Sequence, residues 1–361
     1  QIKQWLGGTG VSQEYSLRLG AKGWLMPEWA KEYGGQDCSF MEKLILIEEL
    51  SHCKAPTTGH FSADLVGPCI MHYGTEKQKK EWLPKLARGE FLCEGYSEPE
   101  AGSDLASITT QAVEADDCYI INGHKMWTTI GHLSRYCHLL AITDPEAPRY
   151  KGLSLFMIDM KTPGISTQPI MEVIGEATYS EMFFDDVRVP KESLIGEKNK
   201  AWPQLMDSLD LERCWSRAGI WPYANRFLEE LVEYAKETKY EGVSLAQNPL
   251  VRQKLAQLAI EIDVCRLFQY RVAWMQSKGI IPKYESGLNK LYADELLQRV
   301  AKVGMELLGL YGQLEEGSKW APLRGEIERM YIGSIAMTIA AGTSEMMRQA
   351  IARIGLGLPR D

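Results

Sequence analysis

The sequence predicts an α+β chain: an N-terminal helical domain, a central antiparallel β-domain and a C-terminal four-helix bundle. Three observations carry that reading. Apolar residues recur at helical spacing before position 92, short β-rich runs bounded by turn residues fill 93–196, and helical periodicity returns at 201 and persists. Domains are accordingly expected at 1–92, 93–196 and 197–361.

In the first domain MEKLILIEELSHC (41–53) carries a helical stripe, and TEKQKKEWLPKLARG (75–89) opens on a capping box, Thr75 followed by Gln78. Pro84 is expected to bend or restart that helix. The β-rich runs are CYIING (118–123), YCHLLAIT (136–143), LSLFMIDM (153–160) and YSEMFFDDVRV (179–189). Asn122-Gly123, Pro145 and Pro163-Gly164 read as the turns between them, the pattern of an antiparallel sheet or small barrel. Four long helical segments follow, 201–237, 248–277, 284–314 and 324–354, with Gly309, Gly312, Gly317 and Pro322 marking the last break.

Composition excludes several classes. The chain has 361 residues, 45% hydrophobic and 24% charged, which suits two or three sub-domains of a folded soluble protein. A net charge of −8 with no basic block argues against nucleic acid as partner. No apolar run approaches the roughly 18 residues of a membrane span, and the longest, MYIGSIAMTIAA (330–341), reads as a buried helix. Eight scattered cysteines without a CxxC pair favour reduced thiols in a cytoplasmic, bacterial setting. Six histidines without HxxxH or CxxH spacing give no metal site. The chain begins at Gln1, so it reads as a piece lacking some N-terminal residues, with room for a removed targeting segment. GGTG (7–10) reads as a turn at this start; no GxGxxG follows a strand, so a nicotinamide site is not supported.

The most loop-like segment is GYSEPEAGSDLAS (95–107), whose amides and hydroxyls can approach a flat, phosphate-bearing ligand closely. Taken alone, such a loop is more often a solvated connector. HKMWTTIG (124–131) strengthens the ligand reading: Trp127 offers a ring face, and Thr128 and Thr129 offer donors. A core aromatic would explain Trp127 but not the adjoining Thr-Thr.

These segments carry a family resemblance. GYSEPEAGSD, INGHKMWTT, MFFDDVRVP and AGTSEMMRQAIARIGLGLP, in order, are similar to flavin-dependent acyl-CoA dehydrogenases over essentially the whole chain. GWLMPEWAKEYGG (23–35) and YGTEKQKKEWLPKLARGE (73–90) are similar to the N-terminal helices of that family. The resemblance implies FAD as cofactor, an acyl-CoA substrate, an electron-transfer flavoprotein or similar acceptor, and a homodimer, homotetramer or hetero-oligomer with a related chain. By the same resemblance Tyr96, Ser97 and Ser103 meet flavin and the ligand's pantetheine arm, and Trp127, Thr128 and Thr129 meet the flavin ring. Gly309, Thr343 and Glu345 match further FAD contacts.

Dehydrogenating a thioester between its α and β carbons needs a base, a hydride acceptor and donors to the thioester oxygen. The resemblance places the usual catalytic glutamate at position 341, which is alanine here; the Ala341 N–H, beside Gly342, can still polarise the thioester. Glu212, in SLDLERCWSRAG (208–219), falls where a minority of the family, isovaleryl-CoA dehydrogenase among them, carries its base. Asp210 and Arg213 match channel-lining positions, whereas an isolated Glu-Arg pair would be an ordinary solvated one. Glu181, Glu306 and Glu345 match no position for proton abstraction. Two departures stand out. TKYEG (238–242) lacks the arginine and phenylalanine of the family's R-x-x-F-G stretch, and LLGLYGQ (307–313) has Leu310 where a second glycine is usual. They imply a cofactor anchored differently, or a non-identical partner that supplies the contact.

Overall fold

The computed structural model describes residues 12–56 and 58–359, with backbone alone over 58–62; the GGTG turn at 7–10 lies outside the described residues. The chain divides into two compact units, one of residues 1–43 and 56–212, the other of 44–55 and 213–361.

In the first unit the helices are α1 (Gln13–Gly20), the start of α2 (Phe40–His52), α3 (Thr58–Tyr73) and α4 (Glu76–Ala87). The Thr75–Gln78 capping box forms in both directions at the start of α4. That helix runs through Pro84 without restarting. Inside this helical region Lys43 lies fully buried between Glu28 and Asp64, at 2.7 and 2.6 Å.

The sheet has eight strands: β1 (Leu92–Gly95), β2 (Gln111–Glu114), β3 (Cys118–Thr129), β4 (Tyr136–Ile142), β5 (Leu153–Asp159), β6 (Ile165–Ile170), β7 (Tyr179–Pro190) and β8 (Leu194–Ile195). The order is β6-β7-β3-β2-β4-β5-β8, with β1 added on β4. Most pairings are antiparallel as expected, but β1–β4 and β2–β4 are parallel, so the sheet is mixed. One face of the pleat supplies Tyr119 and Ile121, Leu139 and Ala141, and Phe156 and Ile158 to one core cluster, while β4 and β5 are buried on both faces.

Asn122-Gly123 is not a turn. It lies inside β3, opposite a bulge in β7: between the pairs Ile121–Val187 and Gly123–Phe184, Asn122 alone faces both Asp185 and Asp186. Opposite it Asp186 stands at φ 47°, and its N–H donates to Asn122 Oδ1 at 2.8 Å. The buried positions of β7 accordingly change parity, from Met182 and Phe184 to Val187 and Val189.

After β8, α5 (Ala201–Trp215) crosses the division between the units, which falls between Glu212 and Arg213. The second unit is the bundle: α6 (Ile220–Glu237), α7 (Pro249–Ser277), α8 (Tyr284–Leu308) and α9 (Glu326–Met337), followed by the short α10 (Ser344–Ala350). Ala224, Phe227 and Leu231 of α6 meet Leu258 and Ile262 of α7, Ala293, Leu296 and Val300 of α8, and Ile327 and Met330 of α9. These are the i, i+3, i+4, i+7 positions of helices that share one core. Segment 201–237 is broken at 216–219, and 284–314 ends its α-helix at Leu308, because Gly309 leaves helical space at φ 56° and ψ −134°. The run 330–341 is not a uniformly buried helix: Met330 and Ser334 are buried, Tyr331 and Ile335 are exposed, and the helix stops at Met337.

All eight cysteines are free thiols. Among the described residues no helix is long and apolar enough to cross a membrane, and no group of His, Cys, Asp and Glu could hold a metal ion.

Candidate active site

Two constellations hold the residues singled out by the sequence, one in each unit.

In the first unit, the loop after β1 is fixed to β3 by a buried ion pair. Lys125 Nζ lies 2.9 Å from Glu98 Oε1 and donates to the Tyr96 carbonyl at 2.9 Å. Glu98 also accepts from Thr109 N–H and hydroxyl at 2.6 and 2.7 Å and from Thr110 N–H at 2.9 Å. Burial pushes the Glu98 carboxyl up, but the Lys125 charge and these donors outweigh it and hold it down to about 2. Burial pushes Lys125 down to about 8 against the pull of Glu98. The pair is charged at neutral pH, because the carboxylate is over-supplied with donors.

The sign of its pH dependence follows. Glu98 titrates lower folded than unfolded, so its contribution is complete above its ordinary value of 4.5 and is lost as pH falls towards 2. Denaturant titrations at pH 6 and pH 3 are expected to show a loss that is smaller in Glu98→Gln; equal losses in both proteins would refute the assignment.

That anchor places Ser97 beside β3: its carbonyl accepts the Met126 N–H at 2.9 Å. Regular pairing lapses between Lys125 and Thr128, with Trp127 at φ 63°, which turns the indole outward to 54% exposure. Its ring meets Tyr179 edge-on at 6.3 Å. Thr129 is half-buried on the same side of the strand, and Ser103 is exposed on the loop.

Two of the expected contact residues are turned inward. Thr128 is 2% exposed with its hydroxyl enclosed, because neighbouring strand residues alternate faces. The Tyr96 side chain is likewise turned inward, its hydroxyl 2.7 Å from His138 Nδ1.

Tyr96 belongs to a buried polar chain that leads to Glu212. Glu212 is 2% exposed on α5. Burial, and then the negative charge of Glu212, raise the Glu94 carboxyl well above its ordinary value, while a hydrogen bond with Tyr96 opposes the rise. Burial lowers His138 to about 3, so its ring is neutral. The Glu94 carboxyl is thus pushed towards its protonated form beside Glu212. Asp210, on the same helix, is half-buried.

In the second unit the segment after α9 makes a tight turn. Ala341 stands at φ 55° and Gly342 at φ 97°. The φ of Gly342 strains any residue with a Cβ, and a Cβ there would also have to displace the end of the Met347 side chain, 2.7 Å away. Arg213 Nε donates to the Ala341 carbonyl at 3.4 Å. Thr343 caps α10, its hydroxyl accepting the Met346 N–H at 3.2 Å, and Glu345 is exposed in the first turn. Gly309 closes α8 with open space where a Cβ would sit. Leu310 is 83% exposed, and 238–242 forms part of a small hairpin, β9 (Lys239–Tyr240) with β10 (Val243–Ser244). The other carboxylates are engaged elsewhere: Glu181 with His124 at 2.9 Å and Glu306 with Lys254 at 2.6 Å.

Sequence reasoning missed Glu94, Glu98, Lys125 and His138. Lys125 and Glu98 lie 27 positions apart, a pairing no local spacing reveals. The one available signal was a lysine at an inward strand position.

Three family models cover the chain: the acyl-CoA dehydrogenase N-terminal domain over residues 2–90, the middle domain over 93–187 and the C-terminal domain over 199–356. Acyl-CoA dehydrogenase IpdE1 of Mycobacterium tuberculosis is 33% identical across 99% of this chain and 92% of its own. Among solved structures, the ChsE4-ChsE5 complex from Mycobacterium tuberculosis matches with a TM-score of 0.90 at 34% identity, covering 100% of this chain and 93% of that one. The Tcur3481-Tcur3483 steroid ACAD matches with a TM-score of 0.89 at 33% identity, covering 99% and 91%. The chain belongs to the acyl-CoA dehydrogenase family. It is an FAD-dependent oxidoreductase acting on acyl-CoA.

The residues present fit a flavin in each unit. The outward indole of Trp127 with Thr129 beside it offers a ring face and a hydroxyl donor. Gly309 offers open backbone against which a ligand chain can lie.

Proposed function

We propose that this chain dehydrogenates a cyclic or otherwise bulky acyl-CoA, of the steroid type, to its trans-2-enoyl thioester, with Glu212 as the base. The observation that carries the reading is a glutamate only 2% exposed on α5 while position 341 holds alanine. Bound FAD supplies the two-electron acceptor. Glu212 takes the α-proton, and burial of the neighbouring Glu94 disfavours a second negative charge there. The Ala341 N–H donates to the thioester oxygen as charge develops there. Ser97, Ser103, Trp127 and Thr129 position the ring and the pantetheine arm; Asp210 and Arg213 line the acyl channel; Gly309, Thr343 and Glu345 contact the cofactor. Electrons leave to an external electron-transfer flavoprotein or similar acceptor. The domain limits remain those proposed at 92/93 and 196/197. The substrate class draws support from the relative described as a steroid ACAD.

Anaerobic mixing with a panel of CoA thioesters tests this. Cyclic acyl-CoAs are expected to bleach the flavin faster than straight-chain ones of equal carbon number. Bleaching by none of the panel would sink the reading.

A second arrangement, a flavin site shared with a related chain, draws support from the hetero-complexes among the relatives and from the missing arginine at 238–242. Flavin bound stoichiometrically by the chain purified alone rules that arrangement out; flavin bound only after a related chain is added supports it.

A further inference from the structure

The turn at Ala341 and Gly342 rests on a buried charge cluster with no part in the chemistry proposed above. Lys290 and Asp294 of α8 are fully buried, and Arg217, just before α6, is nearly so. Lys290 Nζ lies 2.9 Å from Asp294 Oδ2, and Arg217 Nε donates to Asp294 Oδ1 at 2.5 Å. One carboxylate thus faces two cations. The ammonium of Lys290 also leaves the helix, donating to the Gly342 carbonyl and, at 3.3 Å, to the Met337 carbonyl. It therefore ties the last turn of α9 to the far side of the turn that follows.

That turn needs a tie. Ala341 occupies left-handed space, which a residue with a Cβ holds only when its surroundings over-determine it. Local backbone bonds secure only the flanks: Ala340 N–H to the Ala336 carbonyl and Ser344 N–H to the Thr338 carbonyl, both at 2.9 Å. Among the described residues no backbone carbonyl accepts the Ala341 N–H. Arg213 at the Ala341 carbonyl and Lys290 at the Gly342 carbonyl hold the two peptides on either side of the Gly342 Cα, while Lys290 at the Met337 carbonyl holds the entry to the turn. The Ala341 N–H belongs to the peptide just before these, and its direction is set by the segment held between the Met337 and Gly342 carbonyls.

We propose that Lys290, oriented by Asp294 and Arg217, is a positioning residue that sets the Ala341–Gly342 turn so that the Ala341 N–H meets a thioester oxygen. This rests on the reading that the Ala341 N–H polarises the thioester. A purely structural ion cluster would stabilise the bundle without regard to the ligand's carbonyl. Lys290 differs by reaching beyond the cluster to the turn itself.

The test compares two ligands on the flavin-loaded protein: benzoyl-CoA, a thioester with no α-hydrogen to lose, and S-benzyl-CoA, which lacks the carbonyl oxygen. The wild type is expected to bind benzoyl-CoA more tightly. In Lys290→Met the preference is expected to fall by about tenfold, with S-benzyl-CoA affinity unchanged, and Lys290→Arg is expected to recover most of it. An unchanged preference in Lys290→Met, whatever its melting temperature, overturns the role of Lys290 alone. A wild type that does not discriminate removes the thioester reading and this inference with it. Should Lys290→Met fail to fold, amide exchange of the wild type decides: protection over 338–343 comparable to α9 supports the tie, and exchange at free-peptide rates overturns it.

Discussion

Glu212→Gln is expected to leave the protein folded and yellow while cutting flavin reduction by acyl-CoA by about 10³-fold or more, since a positioned general base contributes about 10²–10⁴-fold. The amide keeps the shape of the side chain and cannot accept the proton. The melting temperature of the variant separates a folding loss from a catalytic one, since Glu212 is only 2% exposed. Anaerobic stopped-flow bleaching measures the rate, and retained ligand affinity shows that the site is intact. A variant that bleaches within tenfold of its parent would remove Glu212 as the base. Glu94→Gln is the matched control. Burial and the nearby Glu212 push the Glu94 carboxyl towards its protonated form, so an amide in its place should change the rate far less than Glu212→Gln does.

Glu98→Ala is expected to be the most destabilising single change in the β-domain, at roughly 3–5 kcal/mol, the usual cost of breaking a buried ion pair from one side. It strands the Lys125 ammonium, fully buried, and leaves the Thr109 and Thr110 N–H groups without their acceptor. Urea unfolding followed in the β-domain should show the midpoint fall. Flavin content should fall as well, because the same pair fixes the loop that carries Ser97 and Ser103 relative to Trp127. Glu98→Gln with Lys125→Met replaces both charges by neutral groups of similar size and should recover much of the loss. If Glu98→Ala costs less than about 1 kcal/mol, the pair is not the anchor described here.

The helices of the bundle were legible because their cores repeat locally. Ala224, Phe227 and Leu231 mark one face within a single helix, as do Leu296 and Val300 in another. Strand β7 alternates in part because one face is buried, whereas β4 and β5, buried on both faces, were legible as β-rich runs bounded by turn residues. The polar edge strand β6, ISTQPI, shows no such period and gave no signal. Asn122-Gly123 misled for a related reason. Local chemistry favours a turn there, but pairing with β7 across more than fifty residues keeps the same dipeptide in mid-strand, opposite a bulge of β7. Pro84 was expected to interrupt a helix that its capping box and packing carry through.

The sequence alone determined the family and the flavin, and it fixed an alanine at 341 and a glutamate at 212, the two places on which the proposed base turns. Only the tertiary structure decided the neighbours of those residues. It set Glu94 beside Glu212, turned Thr128 inward and Trp127 outward at one break in pairing, and brought Lys290 under the carbonyl of Gly342. The physical reason is range. Propensity and periodicity act over a few residues, whereas a buried charge is satisfied by whichever group the fold delivers, and here those partners lie from 27 to 118 positions away.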